Sequence, residues 1–336
     1  MADATDLMLQ QPPVGTGVPL QAPIDKQMLV DLFLRTVNCM AQEGHVKLGD
    51  KLTGLCRVTR VDELLWDAVS RHKLGREQST RLMYAAHMRD PTRVKFLCDR
   101  GAVVTTTILK HAHDEKSVKA MLEVYPEIAK ELDCLGALPL HHACADGKVH
   151  GVISALLAVY PGAAQQWNIK PHLRIYFATK LPLHIACEKN AEPNVVKILL
   201  AAYPKAASIS CTLEMLPLHI ACENGAVLDA VTILLAAYPE AVSKSDMCGR
   251  LPLHIACEKE ASLDVVKMLL AAHPDAAGER DMDGRLPFHY TCNEEVLKAL
   301  LPMYPEAVRE KDKLGKLPLH YAREKNATQI VLEMLM

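Results

Sequence analysis

The chain has 336 residues, 50% of them apolar and 23% charged, so most of it can fold around a buried core. Aromatic residues make up only 4%, and the dominance of Ala and Leu suits close helix–helix packing better than a sheet sandwich. The net charge of −2 and the lack of any long Lys/Arg run exclude a global electrostatic pull on nucleic acid or an anionic membrane.

Residues 1–23 are rich in Pro, Gly and Gln and show no periodicity, which predicts a disordered N-terminal tail. They also lack the basic start and apolar stretch of a secretory signal. Residues 24–78 are expected to form a helical capping segment, with one amphipathic helix over Ile24–Gln42 and a second over Val61–Arg71. The longest stretch without Lys, Arg, Asp or Glu, Val149 to Ile169, is broken by Pro161, Gly162, Gln165 and Gln166 and does not read as a membrane span. The 11 cysteines show no secreted-scaffold spacing, so the expected setting is intracellular, cytoplasmic or nuclear, with free thiols.

From residue 79 to 336 the chain repeats. Leu-Pro-Leu-His-Ile-Ala-Cys begins identically at Leu181, Leu216 and Leu251, and variants begin at Leu138, Leu286 and Leu317. The starts from Leu181 to Leu286 are each 35 residues apart. A second phrase follows in register, a Leu-rich run closed by Tyr-Pro or His-Pro at Pro161, Pro204, Pro239, Pro274 and Pro305. Two earlier units are degenerate. One carries Met83 and the other Lys110 where the phrase has His, for about eight units in all. The second and the one around His289 are four residues shorter between helices.

One unit, Leu251 to Arg285, shows why the pattern is helical. Pro252 suits a first helical turn, where its missing N–H costs nothing. Leu253, Ala256 and Cys257 fall on one face, and Glu258–Glu260 bring the helix to the surface. Leu263, Val266, Leu269 and Leu270 line a second helix, with Asp264 and Lys267 opposite, until His273-Pro274 stops it. Asp281–Gly284 then predicts a tight turn, as do Asp133–Gly136, Asp246–Gly249 and Asp312–Gly315. A lone pair of such helices cannot bury its apolar face, so neighbours must stack.

The recurring Pro-Leu-His-x-Ala, at Pro139, Pro182, Pro217, Pro252 and Pro318, resembles the ankyrin repeat, whose signature holds T-P-L-H-x-A within 33 residues. Here Leu replaces Thr throughout and the period is two residues longer, as in a divergent subfamily marked by LPLHxAC and YPEA. The resemblance implies an all-α, ankyrin-type helical repeat solenoid that binds another protein as scaffold, adaptor or inhibitor. It also implies that the repeat His bridges neighbouring units through hydrogen bonds, with the Cys in a small-residue core position.

The recurring His and Cys, from His141/Cys144 to His289/Cys292, have ligand chemistry but no Cys-x-x-Cys pattern, so no metal site is expected. No phosphate-binding loop, dinucleotide fingerprint or His-Glu-x-x-His occurs, and no Cys has a base that its repeat copies lack. No catalytic residue, cofactor or small-molecule substrate is expected, and the chain does not read as an enzyme.

The irregularity is an insertion. Twelve residues separate the Pro of the second phrase from the next Leu in five cases, against 20 between Pro161 and Leu181. The excess lies within residues 165–180, which concentrate Trp167, Lys170, His172, Arg174, Tyr176 and Phe177. Trp, Tyr and Arg are enriched at binding hot spots, and insertions in repeat proteins often map to the binding face. The segment is therefore a candidate partner-binding loop, set against a purely packing role for its aromatics. A second candidate surface is the row of turn tips, Met247 and Arg250, then Met282, Asp283 and Arg285. Nucleic-acid or lipid binding through the basic and aromatic insertion is the alternative, as is recruitment of a substrate to an enzyme complex. The last residues, Ile330–Met336, fall within a second helix without a polar outer face, so either that end is covered or the chain continues.

Overall fold

The computed structural model describes residues 75–133, 136–168, 179–225 and 227–336. The disordered tail and helical cap expected over 1–78 lie almost wholly outside them, as does most of the insertion. Among the described residues the regular elements are all helical.

The helices come in consecutive pairs: α1 Gly75–His87 with α2 Pro91–Asp99, α3 Thr106–His111 with α4 Glu115–Val124, and α5 Pro139–Ala145 with α6 His150–Val159. The three regular repeats follow as α7 Pro182–Glu188 with α8 Pro193–Ala202, α9 Pro217–Glu223 with α10 Leu228–Ala237, and α11 Pro252–Glu258 with α12 Leu263–Ala272. The seventh pair shrinks to a 3₁₀ turn, Pro287–His289, with α13 Glu294–Leu300, and the last is α14 Pro318–Glu324 with α15 Gln329–Met334. First helices stack on first helices, α5 to α7 to α9 to α11, and second helices on second helices, α6 to α8 to α10 to α12. That nearest-neighbour stacking is the solenoid.

Pro252 stands at the first helical position with Leu251 as N-cap, and all of Pro252–Cys257 is buried. Small Ala256 and Cys257 let α9 and α11 approach, and Leu253 is fully buried. Burying such a side chain contributes about 1.5–3 kcal/mol. In α12 the buried face is Val265, Val266, Leu269 and Leu270, while Leu263 is only half-buried. The chain does not become a loop at His273. Pro274–Gly278 forms a 3₁₀ helix that buries Ala276 and Ala277. The same short helix follows α4, α6, α8, α10 and α13. It tucks one or two small or aliphatic residues, at least one of them Ala, against the core.

The repeat histidine supplies what the missing Thr cannot. His141, His184, His219 and His254 are nearly fully buried. Each accepts at Nδ1 from its own helix's N-cap amide, at 3.0, 3.1, 3.2 and 3.1 Å, respectively. Each Nε2 then donates to the segment that leads into the following repeat, to the carbonyls of Gln166, Ile209 and Lys244 at 2.9 Å and of Glu279 at 3.1 Å. The paired partners assign the tautomer with hydrogen on Nε2. Burial pushes His141, His184 and His219 down to about 4, so each imidazole stays neutral.

Candidate functional site

Between repeats the chain makes tight hairpin fingers. In the finger at 246–250, Asp246 N donates to Arg250 O at 3.0 Å and Gly249 N to Asp246 O at 2.9 Å. The Asp246 carboxylate accepts from Cys248 N and Arg250 N, both at 2.8 Å. Asp281 and Asp312 hold their fingers through the same two backbone positions. Their outer oxygens accept from phenols nine residues on, Tyr290 at 2.5 Å and Tyr321 at 2.6 Å. His142 stands in that relation to Asp133, at 2.7 Å. Where position 255 is Ile, the Asp246 outer oxygen takes Arg250 instead, at 2.8 Å.

The fingers join into a ladder. Met247 N donates to Leu213 O at 3.0 Å, Met282 N to Cys248 O at 3.0 Å, and Lys313 N to Asp283 O at 2.9 Å. Along it stand Leu213, Met247, Met282 and Leu314, with 53%, 53%, 62% and 70% of their surface open to water. Four large apolar side chains on one hydrogen-bonded row form a contiguous adaptable surface rather than scattered exposure.

The structure places the candidate residues unequally. Met247, Met282 and Asp283 stand at the tips. Arg250 is half-buried and bridges Asp246 and Glu258. Arg285 is half-buried too, 5.1 Å from the Tyr321 ring centre and 5.8 Å from that of Tyr290, and ion-paired with Asp283 at 3.4 Å. Both arginines therefore brace fingers as well as flank the row. Trp167 stacks on His184, ring centres 6.0 Å apart, so it packs onto the solenoid. Lys170, His172, Arg174, Tyr176 and Phe177 lie outside the described residues.

The base of the insertion is informative. Asn168 N donates to Lys180 O at 3.1 Å, and Lys180 N donates to Asn168 Oδ1 at 2.5 Å. These are the bonds that Asp246 makes with Arg250. Asn168 also follows Pro161 by seven residues, as Asp246 follows Pro239. The insertion is thus bounded by the same closing pair that bounds a regular finger. Lys180 is fixed by Glu188 at 2.6 Å, as Arg250 is by Glu258. The spacing from Pro161 makes the place of Asn168 legible in the sequence.

Among the described residues, no group of three or more His, Cys, Asp or Glu is placed to hold a metal ion. No helix among them is long and apolar enough to cross a membrane.

The family model for ankyrin repeats matches residues 183–278 and 253–336. None of the curated proteins compared with this sequence is significantly similar to it. Among solved structures, the chain is similar to the ankyrin repeat domain of Bcl-3, described as a unique member of the IkappaB protein family. The identity is 18% and the TM-score 0.49, over 76% of this chain and 97% of that one.

Proposed function

This chain is an ankyrin-repeat protein, and we propose that it is a protein-binding scaffold, adaptor or inhibitor that grips its partner along the finger row and the insertion. Ankyrin repeats generally mediate protein–protein interactions. The observation that carries the reading is the row of Leu213, Met247, Met282 and Leu314, four exposed apolar side chains held on one backbone ladder. A rigid row of this kind meets a partner with little ordering cost, and Met adapts to its shape. On this reading the insertion between Asn168 and Lys180 supplies Lys170, His172, Arg174, Tyr176 and Phe177 as further partner contacts. Fully buried free thiols at Cys144, Cys187, Cys222 and Cys257 suit a reducing compartment, cytosol or nucleus.

The test is affinity capture with the intact chain as bait beside two variants. One carries Met247→Glu and Met282→Glu. The other has the segment between Asn168 and Lys180 cut to the length of a regular finger. A protein recovered by the intact chain and lost with both variants supports the reading. Recovery that is unchanged by the methionine pair removes the finger row as the site. Recovery that is unchanged by the shortened finger removes that loop. Capture of nucleic acid or lipid in place of protein would overturn the reading.

A further inference from the structure

Two repeats are short, and each is completed by a lysine from the repeat after it. In a regular repeat the chain leaving the first helix turns back and donates to the helix's last carbonyls. Lys189 N reaches Ile185 O at 3.0 Å, Asn190 N reaches Cys187 O at 3.2 Å, and Ala191 N reaches Ala186 O at 2.9 Å. In the second repeat α3 ends at His111 and α4 already begins at Glu115, so the turn is missing. Ala112 N still reaches Leu109 O, at 3.2 Å. The other donor is Lys148. Its Nζ reaches Ala112 O at 2.6 Å and Leu109 O at 3.4 Å, and bonds Lys110 O as well. Residue 148 occupies the place of Ala191, Ala261 and Ala327, and its own amide makes the same bond, to Ala143 O at 3.0 Å. The seventh repeat has the same deletion, and Lys325 Nζ donates to Tyr290 O at 2.8 Å.

The two lysines differ in their surroundings. The bond made by Lys325 is exposed, whereas Lys148 is only 7% open to water. Beside Lys148 stand Lys110, His111 and His113 from α3 and its exit, and His87 and Arg89 from the end of α1 lie next to those histidines. The facing carboxylate is Asp146, beside it in the chain. Asp114 caps α4 through one oxygen, accepting from Ser117 N at 2.7 Å, and its other oxygen is buried without a hydrogen-bond partner among the described residues. The rings of His87 and His113 meet edge-on, 6.5 Å apart. At neutral pH the ammonium is held by three carbonyls beside the uncharged imidazoles of His111 and His113. Acid adds positive charge next to a cation that is largely withdrawn from water, where repulsion is weakly screened.

We propose that Lys148 with His111 and His113 forms an acid-released latch between the second and third repeats, in which protonation of these two histidines expels the ammonium from the α3 carbonyls and frays α3. Burial first, and the Lys148 charge next, hold His111 and His113 below 6.5, so release follows acidification past that value. The released segment is local. The regular repeats further along carry Ala at this position and keep their own turns.

Hydrogen–deuterium exchange read by mass spectrometry tests this on the full chain, between about pH 7.5 and about pH 5, with labelling times scaled for intrinsic exchange. Peptides covering residues 105–125 should gain exchange by about tenfold or more, the factor carried by one unit of linked pH, while peptides covering 217–272 hold steady. The double variant His111→Gln/His113→Gln should lose most of the gain. Lys148→Met should exchange fast at both pH values. Unchanged exchange over 105–125, a full gain in the histidine variant, or protection retained in Lys148→Met would each overturn the latch.

Discussion

His219 donates its Nε2 hydrogen to the Lys244 carbonyl, 2.9 Å away and 25 residues on, in the segment leading into the next repeat, while its Nδ1 accepts from Leu216 N. The bond pair works only for the neutral ring, since a proton on Nδ1 would face an amide N–H.

That requirement sets a pH dependence. Unfolded, these imidazoles titrate near 6.5; folded, His141, His184 and His219 are held at about 4. Above 6.5 neither state binds a proton and the stability is complete. As pH falls from 6.5 towards 4, the unfolded chain takes protons that the folded one refuses, so stability declines through that window. Each such histidine costs of order 3 kcal/mol by the lower end. Urea unfolding followed by far-UV circular dichroism should show the midpoint dropping steadily between those values. A midpoint flat down to pH 4 would contradict the neutral-ring assignment.

The regular repeats were plain in the sequence because Pro252, the apolar stripe and His273-Pro274 are local signals with a fixed period. In α12 Val266, Leu269 and Leu270 are buried as their spacing predicts, whereas Leu263, its first residue, is half-exposed and Val265 is buried in its stead, because a helix's first turn lies at the edge of the stack. The 3₁₀ helix at Pro274–Gly278 went unseen because five residues give no helical period, and its buried alanines look like those of a loop. Of the site, the tips Met247 and Met282 were legible from the Asp-x-x-Gly turns. The bracing of Arg250 by Glu258, the stacking of Trp167 on His184 and the crossing of Lys148 into the previous repeat were not, because each joins residues whose relation no local pattern records.

Thiol reactivity should divide the cysteines by place rather than by number. Cys248 is exposed at a finger tip and Cys292 is half-buried. Cys144, Cys187, Cys222 and Cys257 sit in the stacked core, where burial raises every thiol, Cys187 and Cys222 to about 12. The thiolate is the reacting species. Among the described cysteines, brief alkylation mapped by mass spectrometry should therefore label Cys248 first and Cys292 more slowly, with the core four protected until the chain unfolds. Early labelling of Cys222 would mean that the stack opens around α9.

The finger at 211–215 lacks glycine, and the backbone bears the consequence. Leu213 and Glu214 both adopt positive φ, 74° and 58°. Glu214 stands three residues after Cys211, as Gly249 stands after Asp246. A left-handed residue with a side chain costs roughly 1–2 kcal/mol, part of which glycine returns as freedom of the unfolded chain. Glu214→Gly should raise the stability by about 0.5–1 kcal/mol, read as a higher urea midpoint. A loss of stability would show that the Glu214 side chain makes a contact worth more than the strain.

Gly249 and Gly315 occupy the same place in their fingers, each at φ 75°. They differ in what lies beyond. A Cβ on Gly249 would stand 2.8 Å from Met282 N, which is backbone and already bonded to Cys248 O. A Cβ on Gly315 would meet nothing within 4 Å. Gly315→Ala therefore bears only the left-handed penalty, roughly 1–2 kcal/mol. Gly249→Ala bears that penalty and must also push the next finger away, breaking the ladder beneath Met247 and Met282. Paired urea titrations should show Gly249→Ala the more destabilised by at least about 1 kcal/mol, the value of one backbone hydrogen bond. Equal losses would mean that the fingers are joined too loosely to present Leu213, Met247, Met282 and Leu314 as one surface, and partner binding would then have to be sought on the other faces of the repeats.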